Sequence, residues 1–440
     1  MTATPESVAQ RGLGVRLQQV RDSRLVRQNL VLFTGGLVAG VGGFVYHAVA
    51  GRVLAPAAYG EVAALVALFA LVGTAVNLTL VVVLARYAAD LKAAGRAGAI
   101  RHIALRTAQV IAVPALAFCA LGAVLSTPAA AFLNLRSPTP VFWAGVAIAA
   151  YWFTAIPRGI LQGTQHFTAL SANLSLELVV RTACLALLLL AGLAVTGAMV
   201  AILLGIVFAF GLGLFSMRDT FAMAPDQVRL RTMARFARTA AAGTLGILLL
   251  YNVDVVLAEH YLDHHDAGIY GGLNKIGTIL YFLTLSVSQV LFPRVVEAVA
   301  TRRHPGRLLL MSGGIMSMLG GGAILVFGAV PGLVVGLLYG PRFHAAEPYI
   351  LAVGFIGLGL SLDNLLVQFF MAVHDRVFVP ILAAACVVQV LLIVAFHGGV
   401  GQIVMDVLVA IFGLLAALAL RCLLLLPRLR PEMLDEAEKP

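Results

Sequence analysis

Residues 381–396 read ILAAACVVQVLLIVAF, an apolar run that only Gln389 interrupts. Residues 201–214 form a second such run, AILLGIVFAFGLGL. A helix that crosses a bilayer needs about 20 predominantly apolar residues, whereas the strands of a membrane barrel show alternating segments of about ten residues. Because neither run alternates, both predict transmembrane helices.

The rest of the chain continues this pattern. Of its 440 residues, 61% are hydrophobic and 11% are charged, while about a quarter of the residues are charged in a typical soluble domain. The sequence therefore predicts an all-α polytopic membrane protein with about twelve transmembrane helices. The predicted spans are 28–49, 61–85, 107–127, 140–157, 169–191, 195–216, 239–258, 268–293, 308–330, 348–372, 377–396 and 401–420.

Basic residues are distributed unevenly among the segments that connect these spans. Of the 30 Lys and Arg residues, 25 fall in one alternate set of segments, and the other set holds only Arg52, Arg136 and Arg342. Since cytoplasmic loops are enriched in Lys and Arg, we expect both termini in the cytoplasm. The net charge of +10 is then a topology signal, and no nucleic-acid partner is expected.

The N-terminal segment predicts retention in the membrane. Residues 1–27 carry five arginines and lead into a long apolar span without a small-residue cleavage site, so we expect no removed signal peptide. The ratio of 27 Arg to 3 Lys and the high Ala and Gly content indicate a GC-rich bacterial genome. The expected location is therefore the bacterial cytoplasmic membrane.

The chain divides near residue 217 into two predicted six-helix bundles. Residues 28–217 form the first bundle and residues 218–420 the second, between the basic segment 1–27 and a cytoplasmic tail at 421–440. An internal repeat with the same orientation in both halves fits this division. An offset of 208 residues pairs Leu54 with Leu262, Gly60 with Gly268, Ala63 with Gly271 and Arg86 with Arg294.

Residues 51–60, GRVLAPAAYG, resemble the G-R-x-L-G-P-x-x-Y/F-G turn of the polysaccharide flippase family, within the multidrug, oligosaccharidyl-lipid and polysaccharide (MOP) exporter superfamily. The chain departs from the family pattern at Ala55, where Gly is frequent, and at His264 and His265 in the second half. The other similar segments are RGILQG at 158–163 with Gln165 and Phe167, LFPR at 291–294 with Glu297, and LYG at 338–340 with Phe343 and residues 346–348.

This resemblance implies a MATE-like fold in which two bundles face each other across a central cavity. It implies a flippase that passes a polyprenyl-diphosphate-linked oligosaccharide, a precursor of cell-surface polysaccharide, to the outer leaflet by alternating access. The implied partners are this substrate, membrane lipids, H⁺ or Na⁺, and a polysaccharide polymerase or glycosyltransferases. The multidrug branch of the superfamily implies the alternative, a cation-coupled small-molecule antiporter.

Other classes of function fit less well. The chain has no G-x-x-x-x-G-K-[ST] run, so it carries no nucleotide-driven motor of that type. A membrane glycosyltransferase, the remote alternative, needs a sizeable outside loop with catalytic acids, and the longest predicted outside loop is 331–347. The four cysteines lie in apolar runs without a C-x-x-C pair and are expected to pack. We expect a transporter without catalytic residues, cofactor or metal.

Arg181 is the deepest basic residue of the predicted spans. Counting 1.5 Å per residue, it lies about 18 Å into the fifth span, and Glu177 is one helical turn away. Either the two side chains neutralise each other along one helix face, or Arg181 faces the cavity and attracts the substrate diphosphate. In the second case the planar guanidinium binds phosphate oxygens, and Glu177 holds it or exchanges a proton.

The eighth span carries a polar stripe at helical spacing. Such a face cannot point at lipid, because its polar groups would be unpaired there. It either packs on another helix or lines a wet cavity between the halves, where tyrosines offer a flat face to a sugar. The stripe comprises Tyr270, Asn274, Thr278, Tyr281, Thr284 and Ser288, flanked by Lys275 and Gln289.

Three further charged residues lie inside the predicted spans or at their ends. Lys275 either reaches the outer interface or lines the cavity, with Asp254 as its candidate partner. Asp363, in the tenth span, is either the partner of Lys275 or a proton carrier. Asp254 and Asp363 are therefore the candidate ion-coupling residues.

The remaining charged candidates lie near the membrane surfaces. The stretch 263–266, DHHD, has metal-ligand side chains, but contiguous residues converge poorly on one ion, and Asp263 fits a helix cap. Arg86 and Arg294 are either interfacial anchors or cations at the inner mouth that recruit diphosphate lipids.

Overall fold

The computed structural model describes residues 40, 42–96, 98–222, 233–300, 305–373 and 375–429. Every regular element in these ranges is helical. The long helices of the first half are α1 (42–53), α2 (Pro56–Ala93), α3 (Gly98–Phe132), α4 (Thr139–Gly163), α5 (Phe167–Leu190) and α6 (Ala194–Ser216). Those of the second half are α7 (Met233–Tyr261), α8 (His264–Ala300), α9 (Gly306–Ala329), α10 (Ile350–Ala372), α11 (Phe378–Ala395) and α12 (Val400–Leu425).

Within the described residues, nine helical stretches are long and apolar enough to cross a membrane. They coincide with α2–α6 and α9–α12. The order of helices agrees with the prediction, and an all-α polytopic fold is confirmed.

Several helices are longer than predicted. Helix α2 begins at Pro56, where the fixed φ of proline favours the first turn, and α3 runs well beyond the predicted 107–127. Helix α4 continues to Gly163 rather than ending at 157. The predicted outside loop 331–347 is itself mostly helical, with an α-helix at Pro331–Leu338 and a 3₁₀ helix at Pro341–Tyr349.

Local signals explain where two helices end and begin. Helix α5 ends at Leu190, and Gly192 follows its cap with a φ of +80°, in the left-handed region that glycine adopts without strain. Helix α8 begins after Asp263, whose Oδ1 accepts hydrogen bonds from the amides of His265 and Asp266 at 2.9 Å each. Asp263 is therefore a helix cap, as the sequence suggested.

Helix α2 contains a π-helical segment, Phe69–Thr74. The part of α2 before this segment packs against α8 and α7 of the second half, whereas the part after it packs mainly against α4 and also against α7. The two parts of α2 therefore have different main neighbours.

Each half is organised around one central helix. In the first half α4 packs against α2, α3, α5 and α6, and in the second half α10 packs against α8, α9 and α12. Helices α4 and α10 occupy equivalent places in the order of the helices. The division into 28–217 and 218–420 as superposable repeats stays a prediction.

Large apolar side chains face outward. Val113 and Leu116 of α3 expose 72% and 70% of their surface, and Met318 and Leu325 of α9 expose 82% and 75%. In water such faces would be unfavourable, whereas lipid tails solvate them at no cost. The outward faces of α3 and α9 therefore indicate the lipid boundary.

The two halves meet tightly at one end of the protein, which we call the sealed end. It contains the turns at 54–55, 133–138 and 262–263 and the helical segment 339–349. Gly60 of α2 lies against Gly268 of α8, since a Cβ atom on Gly60 would be 2.8 Å from the Gly268 nitrogen. His260 of α7 stacks on Phe132 at 4.2 Å and contacts its carbonyl oxygen at 2.5 Å. By the distribution of basic residues, this end is the predicted outside.

Candidate functional site

Arg181 of α5 stacks on Tyr46 of α1. Its Cζ lies 4.2 Å from the ring centroid, and the buried Tyr46 hydroxyl donates to the carbonyl of Ala198 on α6 at 2.9 Å. The Nε of Arg181 is buried and has no hydrogen-bond partner among the described residues. Stacking on an aromatic ring orients the guanidinium without neutralising its charge.

Glu177 pairs with Arg158 rather than with Arg181. It forms an ion pair with Arg158 of α4, and both side chains are buried. The expected pairing of Glu177 with Arg181 along α5 is therefore wrong. The physical reason is the length of α4: because the helix continues to Gly163, Arg158 lies inside the first half rather than at the membrane boundary.

The other donors of Arg158 are also used. Its Nε donates to Oδ1 of Asn173 at 2.9 Å and its Nη1 to the hydroxyl of Tyr151 at 3.3 Å. Asn173 in turn donates to the carbonyl of Ala209 on α6 at 2.6 Å. Arg158 thus ties α4 to α5 and, through Asn173, to α6, and its charge is matched by Glu177.

Arg158 directly follows the predicted span 140–157 and is one of the 25 basic residues of the predicted cytoplasmic segments, so the sequence did not predict this network. The RGILQG motif that begins at Arg158 was the available signal, because its final glycine marks the true end of the helix. Among the described residues, Arg181 has no acidic partner within ion-pair distance. Arg158 is therefore a buried arginine that Glu177 neutralises, whereas the half-buried Arg181 has no such partner among the described residues.

A chain of hydrogen-bonding groups crosses between the halves near Arg181. The Nδ1 of His47 lies 3.1 Å from the hydroxyl of Tyr59, which lies 3.3 Å from the hydroxyl of Tyr339. Tyr339 also reaches the carbonyl of Gly272 on α8 at 3.3 Å. These hydrogen-bonding groups link α1 and α2 to the second half, and neither His47 nor Tyr46 was a predicted site residue.

His47 is close to one inward cation from each half. Arg181 of the first half and Lys275 of the second are both within electrostatic range of the buried imidazole. Lys275 is 7% exposed, so it does not extend to the interface as its alternative interpretation required. One cation from each half therefore approaches the same buried position.

Asp254 of α7 accepts hydrogen bonds from two residues of the polar stripe of α8. Its Oδ2 accepts hydrogen bonds from the hydroxyl of Tyr270 at 2.5 Å and from Nδ2 of Asn274 at 3.1 Å. Lys275 is within electrostatic range of the same carboxyl group. Asp254 is 3% exposed and its Oδ1 has no partner among the described residues.

The stripe was predicted either to line a cavity between the halves or to pack on another helix, and its described contacts lie within the second half. Tyr270 and Asn274 border a small cavity of about 20 Å³ inside the second half, enclosed by α7, α8, α10 and α12. Tyr281 packs on Tyr251 with ring centroids 5.3 Å apart, and Thr284 donates to Ser361 of α10 at 2.8 Å. The polar groups are satisfied mainly by neighbouring helices, which is the packing alternative.

Asp363 of α10 is 3% exposed, and neither carboxyl oxygen has a hydrogen-bond partner within the described ranges. Lys275 forms no ion pair with it there. The neighbouring Asn364 also has an unpartnered Nδ2. Asp363 is thus a buried acid available for proton or ion binding, and its role stays a prediction.

The two proposed inner-mouth cations are unequally described. Arg86 lies on the second part of α2 with an exposed side chain. Arg294 lies on α8, but its side chain is outside the described part of the structure, as are residues 1–27 and the end of the tail. Their recruiting role stays a prediction.

Comparison with known proteins agrees with this architecture. The family model described as "Polysaccharide biosynthesis protein" matches residues 25–299, which span both sides of the site. No curated protein sequence matches the chain.

Several solved structures share the fold. An inward-facing multidrug resistance MATE family transporter of the MOP superfamily superposes with a TM-score of 0.77 and 12% identity, over 89% of this chain and 95% of that one. The lipid II flippase MurJ in an inward closed conformation gives 0.72 and 9%, over 89% and 87%. A MOP superfamily transporter from Pyrococcus furiosus gives 0.59 and 14%, over 92% and 95%. The chain thus has the fold of MOP superfamily transporters and belongs to the polysaccharide biosynthesis protein family.

Proposed function

We propose that this protein is a flippase that moves a polyprenyl-diphosphate-linked oligosaccharide across the bacterial cytoplasmic membrane by alternating access. The family match and the MOP fold support a transporter of this type. The observation that carries the substrate class is the charge of Arg181, which no described acid neutralises. The termini are cytoplasmic in this proposal, and the sealed end faces outside.

The geometry around His47 suits an anion. A guanidinium binds phosphate oxygens in pairs and cannot lose its charge, unlike an amine. The ring of Tyr46 holds the guanidinium of Arg181 in one orientation, while Lys275 approaches from the other half. A diphosphate bound by both cations would connect the halves, so its binding and release would be coupled to their movement.

Glu177 has a positioning role in this proposal. By neutralising Arg158 it fixes α5 against α4, which places Arg181 in the next turn. It does not contact the substrate. Tyr270, Asn274 and Tyr281 likewise shape the second half rather than the sugar path.

Asp254 and Asp363 are the proposed sites of ion coupling. Each is a deeply buried carboxyl group with at least one unpartnered oxygen among the described residues. Buried acids in membrane helices are costly and typically serve proton or ion movement. We infer that H⁺ or Na⁺ binding at these acids drives the conformational cycle.

The test is translocation of a fluorescent lipid-linked oligosaccharide in reconstituted vesicles. Loss of a hydrogen bond to a charged group costs about 1.5–3 kcal/mol, so Arg181→Gln should slow flipping by roughly 10- to 100-fold. Arg181→Lys should retain part of the rate. Arg218→Gln is the matched control, because the Arg218 side chain is 67% exposed. Near-normal flipping by Arg181→Gln would refute the assignment.

A cation-coupled small-molecule antiporter is the second candidate. The observation in its favour is the pair of buried acids, Asp254 and Asp363, in the second half. If that function holds, vesicles should accumulate an organic cation in response to a proton or sodium gradient, and Asp254→Asn should abolish this uptake. Arg181→Gln should then leave uptake unchanged, which separates the two functions.

A further inference from the structure

Two buried carboxyl groups, one from each half, lie together at the sealed end. Glu61 follows Gly60 on α2, and Glu259 lies near the end of α7; both are 2% exposed. The Oε2 of Glu259 is 2.7 Å from the position of a Cβ atom on Gly60. The carboxyl group of Glu259 therefore covers the backbone beside Glu61, and the two acids are within electrostatic range.

The positive charge nearby is insufficient for two carboxylates. Arg136 is the cation that faces both acids; its Nε lies 3.7 Å from Oε1 of Glu61, and its side chain is 60% exposed. An exposed, solvated cation at this distance neutralises a buried acid only weakly. His264 also faces Glu61, whereas the neighbouring His260 is stacked on Phe132.

Buried polar atoms around the two acids also lack hydrogen-bond partners. Oε1 of Glu259 has no hydrogen-bond partner among the described residues, and neither has Oε1 of Glu61 or Nδ1 of His264. Two ionised carboxylates in such a place would repel each other with little water between them, so a buried pair retains a proton. A bound proton on one carboxyl group also turns an unpaired acceptor into a donor.

A metal ion fits this position poorly. Ca²⁺ takes six to eight oxygen ligands and Mg²⁺ about six, but only two carboxyl groups meet here. No group of three or more His, Cys, Asp or Glu side chains in the described residues is placed to hold a metal. A proton needs no such set of ligands, because it binds to one carboxyl oxygen and can be shared with a second.

We propose that Glu61 and Glu259 form a proton-binding site at the sealed end, and that the bound proton is what allows the two halves to close there. The sealed state holds one more proton than the open state, because opening moves the two acids apart and lets each ionise in water. By linkage, lower pH on this side favours the sealed state and higher pH favours opening. The site is separate from Asp254 and Asp363 and does not depend on the transported substrate.

The experiment measures opening of the sealed end directly. The four native cysteines are replaced by alanine, and spin labels are placed at Ser137→Cys and His265→Cys, on opposite halves. Double electron–electron resonance in lipid nanodiscs then gives the sealed and open populations between about pH 5 and pH 9. For a single proton, the open-to-sealed ratio of the wild type should rise by up to about tenfold per pH unit.

The variants separate this proposal from a general effect of pH. Glu259→Gln should remain sealed at every pH, because an amide cannot ionise, and Glu61→Gln should behave in the same way. Glu347→Gln is the matched control, since Glu347 lies at the same end but pairs with His344; its pH response should equal that of the wild type. A wild type that keeps one open-to-sealed ratio throughout would overturn the proposal. So would either glutamine variant with an unchanged pH response.

Discussion

The ion pair between Glu177 and Arg158 allows a quantitative test of the first half. Replacing Glu177 by Ala leaves the buried Arg158 without a counter-charge, and breaking a buried pair in this way costs about 3–5 kcal/mol. Arg158 keeps its bonds to Asn173 and Tyr151, so we expect the lower end, about 3 kcal/mol. For a unit of about 190 residues such as 28–217, this lowers the midpoint of thermal unfolding by roughly 6–12 °C.

The double-mutant cycle identifies the partner. Glu177→Ala combined with Arg158→Met removes both charges and should recover at least half of the lost stability. Glu177→Ala combined with Arg181→Met should be additive within about 0.5 kcal/mol. The assay is thermal unfolding of the purified protein in detergent at one heating rate, followed by the fluorescence of Trp143 and Trp152. A coupling between Glu177 and Arg181 as large as that between Glu177 and Arg158 would refute the observed pairing.

Two further predictions concern the seal and the ring beneath Arg181. Gly268→Val places a side chain against the carbonyl of Pro56, so the labels at the sealed end should move apart at every pH; unchanged distances would show that the backbone contact does not close the halves. Tyr46→Ala removes a cation–π contact of about 0.5–2 kcal/mol and should slow flipping roughly 2- to 30-fold, whereas Tyr46→Phe should retain the rate. Equal rates in the two variants would contradict a role for the ring.

The helices themselves follow from the sequence because the bilayer imposes length and apolarity on every span. The ends are less determined. Arg158 is an apparent boundary residue, yet α4 continues past it because Glu177, Asn173 and Tyr151 satisfy its donors. A charged residue marks a membrane boundary only when it has no partner inside the protein. The sequence around Arg158 does not reveal its partner Glu177, because Glu177 belongs to another helix.

In the candidate site, too, the sequence predicts what the bilayer requires but not what depends on packing between helices. The sequence correctly indicates that the polar face of α8 avoids lipid, because that follows from the bilayer alone. It does not reveal that Asp254 receives Tyr270 and Asn274, since this depends on how α7 turns against α8. The sequence does not indicate a role for His47, Glu61 or Glu259, because each lies near the end of a predicted span, where polar residues are common.

The π-helical segment at Phe69–Thr74 gives α2 a place to twist. A π turn holds more residues than an α turn, and each residue added to or removed from a helix turns everything beyond it by about 100°. On one side of this segment lie Tyr59, Gly60 and Glu61; on the other, Leu84 packs against Gly159 of α4. If the π turn became an α turn, Tyr59, Gly60 and Glu61 would rotate about the axis of α2, while the part of α2 that packs on α4 kept its orientation.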